Sequence, residues 1–170
     1  MIATILIEYR WLAPILLVLA LVVGPLVGRW LVDHRRKAIT LTIVSWLFVA
    51  ALTLAPNGRS ARIGCEVQWM LPTWGRVELI ANVALFAVSV MFLGVAIGRP
   101  LIAFAAGSAV SATIETSQGL VVWLGRSCDT TDWLSNTIGS GVGALLASLA
   151  LCLAGYTRRK SHQSRRKARA

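Results

Sequence analysis

The sequence predicts an all-α, polytopic membrane bundle of about five transmembrane helices, on three observations. First, 56% of the 170 residues are hydrophobic and only 14% charged, with a mean hydropathy of +0.70. A soluble domain of this size is about 45–50% apolar and about 25% charged, and one small core cannot hide such an excess. Second, the apolar residues fall into five stretches close to the roughly 20 residues that a helix needs to cross the hydrocarbon layer. Third, the charge is segregated: seven of the 17 Lys and Arg residues follow Tyr156, in TRRKSHQSRRKARA. An ordinary soluble globular protein is excluded. The net charge of +10 does not imply nucleic-acid binding, because no folded reader accompanies the basic tail; that tail suits anionic lipid headgroups, at about 1 kcal/mol per residue near the surface.

The first stretch runs from about Trp11 to Trp30 and contains Pro14, Gly24 and Pro25, which membranes tolerate inside helices. Glu8 and Arg10 precede it and no small-residue cleavage site follows Gly24-Pro25, so it reads as a retained helix rather than a secretory signal. The second runs from about Ala38 to Ala55 and stops at the turn signal Pro56-Asn57-Gly58. The third covers about Leu79 to Ile97, before Gly98-Arg99-Pro100. The fourth covers about Leu101 to Leu124 and the fifth about Asp132 to Ala154. Residues 1–156 thus form one bundle, and 157–170 a basic cytoplasmic tail expected to be disordered.

Orientation follows from the Lys/Arg bias of the flanking segments. With the C-terminus inside, twelve cations are cytoplasmic: Arg29, Arg35, Arg36, Lys37, Arg99 and the seven of the tail. Arg10, Arg59, Arg62, Arg76 and Arg126 lie outside. Trp11, Trp30, Trp123 and Trp133 sit at span ends, where indole rings favour the interface. This orientation puts Cys65 and Cys128 in outer loops, where disulfides persist; a Cys65–Cys128 bridge is expected, with two free thiols as the alternative. No metal is expected there, since His34 and His162 both fall on the cytoplasmic side. Cys152, inside the fifth span, reads as a small packing residue.

Polar residues are few within the spans, and they cluster. On the fourth helix Ser108, Ser111, Glu115 and Gln118 are spaced 3, 4 and 3 apart, one stripe along one face. Glu78 and Asn82 begin the third helix, with Ser89 two turns further in. Asp129, Asp132 and Asn136 begin the fifth, continued inward by the small-residue seam Ser140, Gly143 and Ala147. All three stripes are most polar at the outer end, flanked by Arg76 and Arg126. Asp129 and Asp132 suit either a helix cap or a binding site. Glu115 lies inside an otherwise uncharged span, an expensive position that usually marks function, and Arg126 or Arg76 is its expected partner. The candidate binding set is therefore Arg76, Glu78, Asn82, Glu115, Gln118, Arg126, Asp129, Asp132 and Asn136.

The run IETSQGLVVWLGRSCDTTDWLSNTIGSGVG resembles the signature of the VanZ-like membrane proteins, E-x-x-Q followed by R-x-x-D-x-x-D-x-x-x-N. Those positions are Glu115, Gln118, Arg126, Asp129, Asp132 and Asn136, with Gly139 beyond. Asn82 to Phe86 is similar to the family's N-x-x-x-F, and Leu54-Ala55-Pro56 to its span-ending L-x-P; the resemblance covers about Thr53 to Leu153. Val88-Ser89-Val90 stands where the family has a Pro-x-Gly kink, and Thr131 where it more often has an aliphatic residue. The resemblance implies a multi-pass protein of a bacterial plasma membrane, in a family associated with low-level resistance to the glycopeptide teicoplanin.

Three functions compete. One is a non-catalytic envelope protein whose outward pocket binds a polar or anionic group, such as a lipid-linked wall precursor or the antibiotic, with Arg76 and Arg126 as bidentate donors. The second is a membrane-embedded enzyme on a lipid-linked or envelope substrate, with Glu115 and Asp132 as paired carboxylates; no nucleophile motif, phosphate loop or cofactor motif accompanies them. The third is a transporter or flippase, against which the polar stripes fade after Ser89, Ser108 and Ser140. The sequence favours the first, with membrane lipids as general partners.

Overall fold

The structure, a computed structural model, describes residues 8–56, 63–73 and 75–167. Five long helices dominate it: α1 Leu12–Val32, α2 Arg35–Leu54, α3 Val77–Ile97, α4 Pro100–Leu120 and α5 Thr130–Lys167. Helices α1, α2, α3 and the Thr130–Gly155 part of α5 are long and apolar enough to cross a membrane. Helix α4 is as long as α3, at 21 residues, but with Glu115, Gln118 and its serines and threonines it is less apolar, so four of the five expected spans have the composition of a membrane-crossing helix.

Local chemistry accounts for the helix ends. Ala55 is extended (φ −66°, ψ 129°) after α2, because the residue before a proline is pushed out of the helical region. Gly98 closes α3 with φ +68°, a conformation that glycine adopts without steric cost, and Pro100 opens α4 at a first-turn position that needs no N–H donor. The fourth span is read from composition as running to Leu124, but the helix stops at Leu120. There the Gly119 carbonyl accepts a bond from the Gly64 N–H, 3.3 Å away, instead of from the next turn. A short 3-10 turn, Val122–Leu124, follows and ends at Gly125, φ +64°. At the other end of the chain, α5 continues through Lys167, where a disordered tail is expected from 157. No glycine or proline follows Gly155, and Arg, Lys, Gln and Ala are good helix formers.

Helix α3 is the centre of the bundle and contacts α1, α2, α4 and α5. Its buried residues include Phe86, Ala87, Val90 and Met91. Helices α1 and α2 cover one side and turn Leu19, Val22, Leu26, Leu47 and Phe48 outward, as expected where lipid rather than water is the solvent. The α3–α5 contact is the closest. A Cβ on Gly139 would lie 2.4 Å from the Val83 carbonyl oxygen, and one on Gly143 would lie 2.4 Å from that of Ala87. These two glycines let the backbones approach where any side chain would hold them apart.

Two strands of two residues each, β1 Cys65–Glu66 and β2 Cys128–Asp129, pair in parallel with Cys65 opposite Cys128. A disulfide joins the two cysteines. The loop before α3 is thereby laid against the entry to α5, at the end of the bundle that carries the polar stripes.

Candidate functional site

Three helices and one loop bring the polar residues together. Asp129 precedes α5, and its Oδ1 accepts the Thr131 N–H at 2.7 Å, satisfying one of the helix's unpaired first-turn donors. One turn on, Asp132 Oδ1 accepts from Asn82 Nδ2 of α3 at 3.0 Å. From α4, Glu115 Oε2 accepts the Asp129 backbone N–H at 3.0 Å. Asp129 therefore serves twice, its side chain as a cap and its main chain as the donor that holds Glu115. Below this layer Asn136 Nδ2 donates to Ser111 Oγ at 2.9 Å, and Ser108 and Thr137 bond at 3.0 Å.

Glu115 is only 6% exposed and Asn136 only 3%, and Gln118 is buried too. Asn82, Arg126, Asp129 and Asp132 are half-buried around them. The three carboxylates of Glu115, Asp129 and Asp132 repel one another, Glu78 adds to the repulsion on Asp132, and Arg126 attracts Glu115 and Asp132. Among the described residues no group of three or more His, Cys, Asp or Glu is placed to hold a metal ion. Asn136 Oδ1 is buried without a hydrogen-bond partner among the described residues, an arrangement that costs about 1–3 kcal/mol.

The expected pairing of Glu115 with Arg126 is not what the structure contains. Arg126 Nη2 donates to the Leu52 carbonyl at 2.9 Å and Nε to that of Ala55 at 3.2 Å. Gln118 Nε2 donates to the Thr53 carbonyl between them, at 2.8 Å. These carbonyls belong to the end of α2, where Pro56 stops the helix and the last C=O groups have no partner in their own chain segment. A cation at that end also complements the helix dipole. Arg126 thus combines a cap on α2 with proximity to the carboxylates, and its Nη1 group stays uncommitted among the described residues. Arg76 and Glu78 are exposed at the start of α3, without a side-chain hydrogen bond to any described residue.

Gln68 and Thr130 contribute without any sequence signal of their own. The Gln68 carbonyl accepts from the hydroxyls of Thr130 and Thr131, and Gln68 N–H donates to Thr130 Oγ1 at 2.9 Å. Thr131 is buried, and its hydroxyl is satisfied there by the Gln68 carbonyl at 2.9 Å. Trp133 Nε1 donates to the Ser108 carbonyl at 3.3 Å, which ties α5 to α4. An open groove of about 360 Å³, lined by Ala112, Thr113, Thr116, Ser117, Leu120 and Val121, lies on the other face of α4 and does not include Glu115.

No curated protein and no solved structure matches the chain. A family model described as VanZ/LLP1 matches residues 11–152, which adds α1 and most of α2 to the stretch from Thr53 that carries the motif resemblance. With that match extending over most of the bundle and all of its polar layer, this membrane protein belongs to the VanZ/LLP1 family.

Proposed function

We propose that the polar layer is an outward-facing binding site for a polar or anionic component of the bacterial cell envelope, in a plasma-membrane protein with its N-terminus outside and its C-terminus in the cytoplasm. The observation that carries this reading is Glu115, a carboxylate almost fully buried inside a helix and held by a backbone N–H rather than by a cation. A neutral residue would be cheaper at that position. Around it, half-exposed Asp132, Asp129 and Asn82 offer acceptors and a donor, and Arg126 Nη1 offers a charged one. A ligand with both hydroxyl or amine donors and an anionic group matches that set; the envelope precursors and the glycopeptide antibiotics have this character. A catalytic reading would use Glu115 and Asp132 as acid and base, but it rests on the same carboxylates without a nucleophile beside them.

The test is antibiotic susceptibility. Expressed in a glycopeptide-susceptible bacterium, the wild-type chain is expected to raise the inhibitory concentration of teicoplanin. Glu115→Gln and Asp132→Asn, at equal abundance in the membrane, are expected to return it to the vector level. Undiminished resistance in both variants would overturn the reading.

A further inference from the structure

We infer that the segment 63–73 is seated in the lipid leaflet next to the carboxylates, and that the site is entered sideways from that leaflet, so that its ligand is an amphiphile. The ligand half of this inference rests on the proposed binding site; the seating of the segment does not.

Depth is the first argument. A 21-residue helix such as α4 is about 31 Å long, close to the ~30 Å thickness of the hydrocarbon layer. Its last turn therefore lies near the edge of that layer. Segment 63–73 does not stand above this level. Gly64 bonds to Gly119 in the last turn of α4, Cys65 is bridged to Cys128, and Gln68 is held by the first turn of α5.

The second argument is which side chains point out. From Val67 the exposure alternates with the two-residue period of an extended chain: Gln68, Met70 and Pro72 are half-buried, whereas Val67 (70%), Trp69 (61%) and Leu71 (67%) are exposed. The outward side chains from 67 to 71 are thus all apolar, whereas Glu66 just before them is exposed and takes a bond from Gln68 Nε2, which places it at the headgroup end of the segment. The neighbouring 3-10 turn adds Trp123, 71% exposed, and Leu120 continues the same apolar surface onto the outside of α4. Trp69 is packed edge-on against Trp133, ring centroids 6.1 Å apart, so its exposed face is a fixed surface. Backbone groups must be satisfied before a chain can enter the hydrocarbon core; the β1–β2 pairing and the bonds between Gln68 and Thr130 and Thr131 do this for 65–68, and the rest of the segment keeps to the edge of the leaflet, where water and headgroups can serve its backbone. The lipid leaflet is the occupant this surface fits, because the surface is continuous with the lipid-facing side of α4.

Two measurements test the inference on the full chain in vesicles of phosphatidylcholine and phosphatidylglycerol. In the first, tryptophan emission lost in Trp69→Phe or Trp123→Phe is expected to be quenched by lipids brominated near the ester end of the acyl chain, and little by aqueous iodide. The reverse pattern, iodide-sensitive and bromolipid-insensitive, overturns the seating. In the second, Asp132→Cys in a Cys152→Ala background reports the route, with Asn82→Cys as the substitute if that variant does not fold. Faster reaction with a membrane-soluble maleimide than with a charged one supports lateral entry. Faster reaction with the charged reagent overturns it, whatever the susceptibility of Glu115→Gln shows about binding.

Discussion

Glu115 and Asn136 are held differently, and the difference predicts how each responds to substitution. A glutamine at 115 keeps an oxygen for the Asp129 N–H and removes a buried charge, so Glu115→Gln is expected to melt within about 1 kcal/mol of wild type, roughly 2–4 °C for a chain this long. Glu115→Leu leaves that N–H unpaired and is expected to cost about 1–3 kcal/mol. Thermal unfolding in detergent separates the two; equal losses would mean that the bond to Asp129 contributes nothing. Asn136 carries an acceptor with no donor. Asn136→Leu removes that orphan, and Ser111 is then free to bond back to its own helix, so the variant is expected to be at least as stable as wild type. A fall in melting temperature would show that the oxygen has a donor in the membrane. Most of this site was legible because its side chains repeat at three and four residues on three helices. The partners of Arg126 could not be read: they are main-chain carbonyls at the end of α2, and a carbonyl has no sequence signature, so charge attraction to Glu115 was the only visible pairing.

The helices meet through two features that act as units, the capped end of α2 and the glycine seam of α5. Lysine at 126 keeps the charge but cannot reach Leu52 and Ala55 from two nitrogens of one planar group. Arg126→Lys is therefore expected to lose about 1–2 kcal/mol, as one hydrogen bond to a carbonyl is given up. Stability unchanged from wild type would count against the cap. In the seam, Gly139→Ala sets a Cβ 2.4 Å from the Val83 carbonyl oxygen and 2.9 Å from Val83 Cα, backbone atoms that cannot rotate away. Gly141→Ala meets nothing closer than the Phe104 ring at 3.8 Å. Fluorescence-detected size exclusion is expected to show a monodisperse Gly141→Ala protein and loss of the folded peak for Gly139→Ala. The spans themselves were readable from length and apolarity. Their ends were less so: α4 ends four residues early, where Gly64, 55 residues upstream, donates to the Gly119 carbonyl, a contact that no local pattern reveals.

The whole molecule is polar at one end and basic at the other, with lipid-facing helices between, and its one disulfide ties the polar end together. A bridge spanning 63 residues is worth roughly 4 kcal/mol when it restrains a free chain. Here α3 and α4 lie within the bridged segment and stay inserted on reduction, so the chain is already confined and the loss is smaller. The bridge's larger effect is to keep Asp129, the residue after Cys128, beside Glu115. The same two cysteines decide which end faces out. With the polar end outside, intact cells are expected to take up no charged maleimide on Cys65 or Cys128 until an impermeant phosphine reductant is added, and then two labels per chain. Cys152 is exposed on the lipid-facing part of α5, beyond the reach of a charged reagent, and adds no signal. In the opposite orientation both thiols would sit in a reducing cytoplasm, behind a membrane that neither reagent crosses. No label would then appear before or after reduction, and the outward-facing site would have to be abandoned.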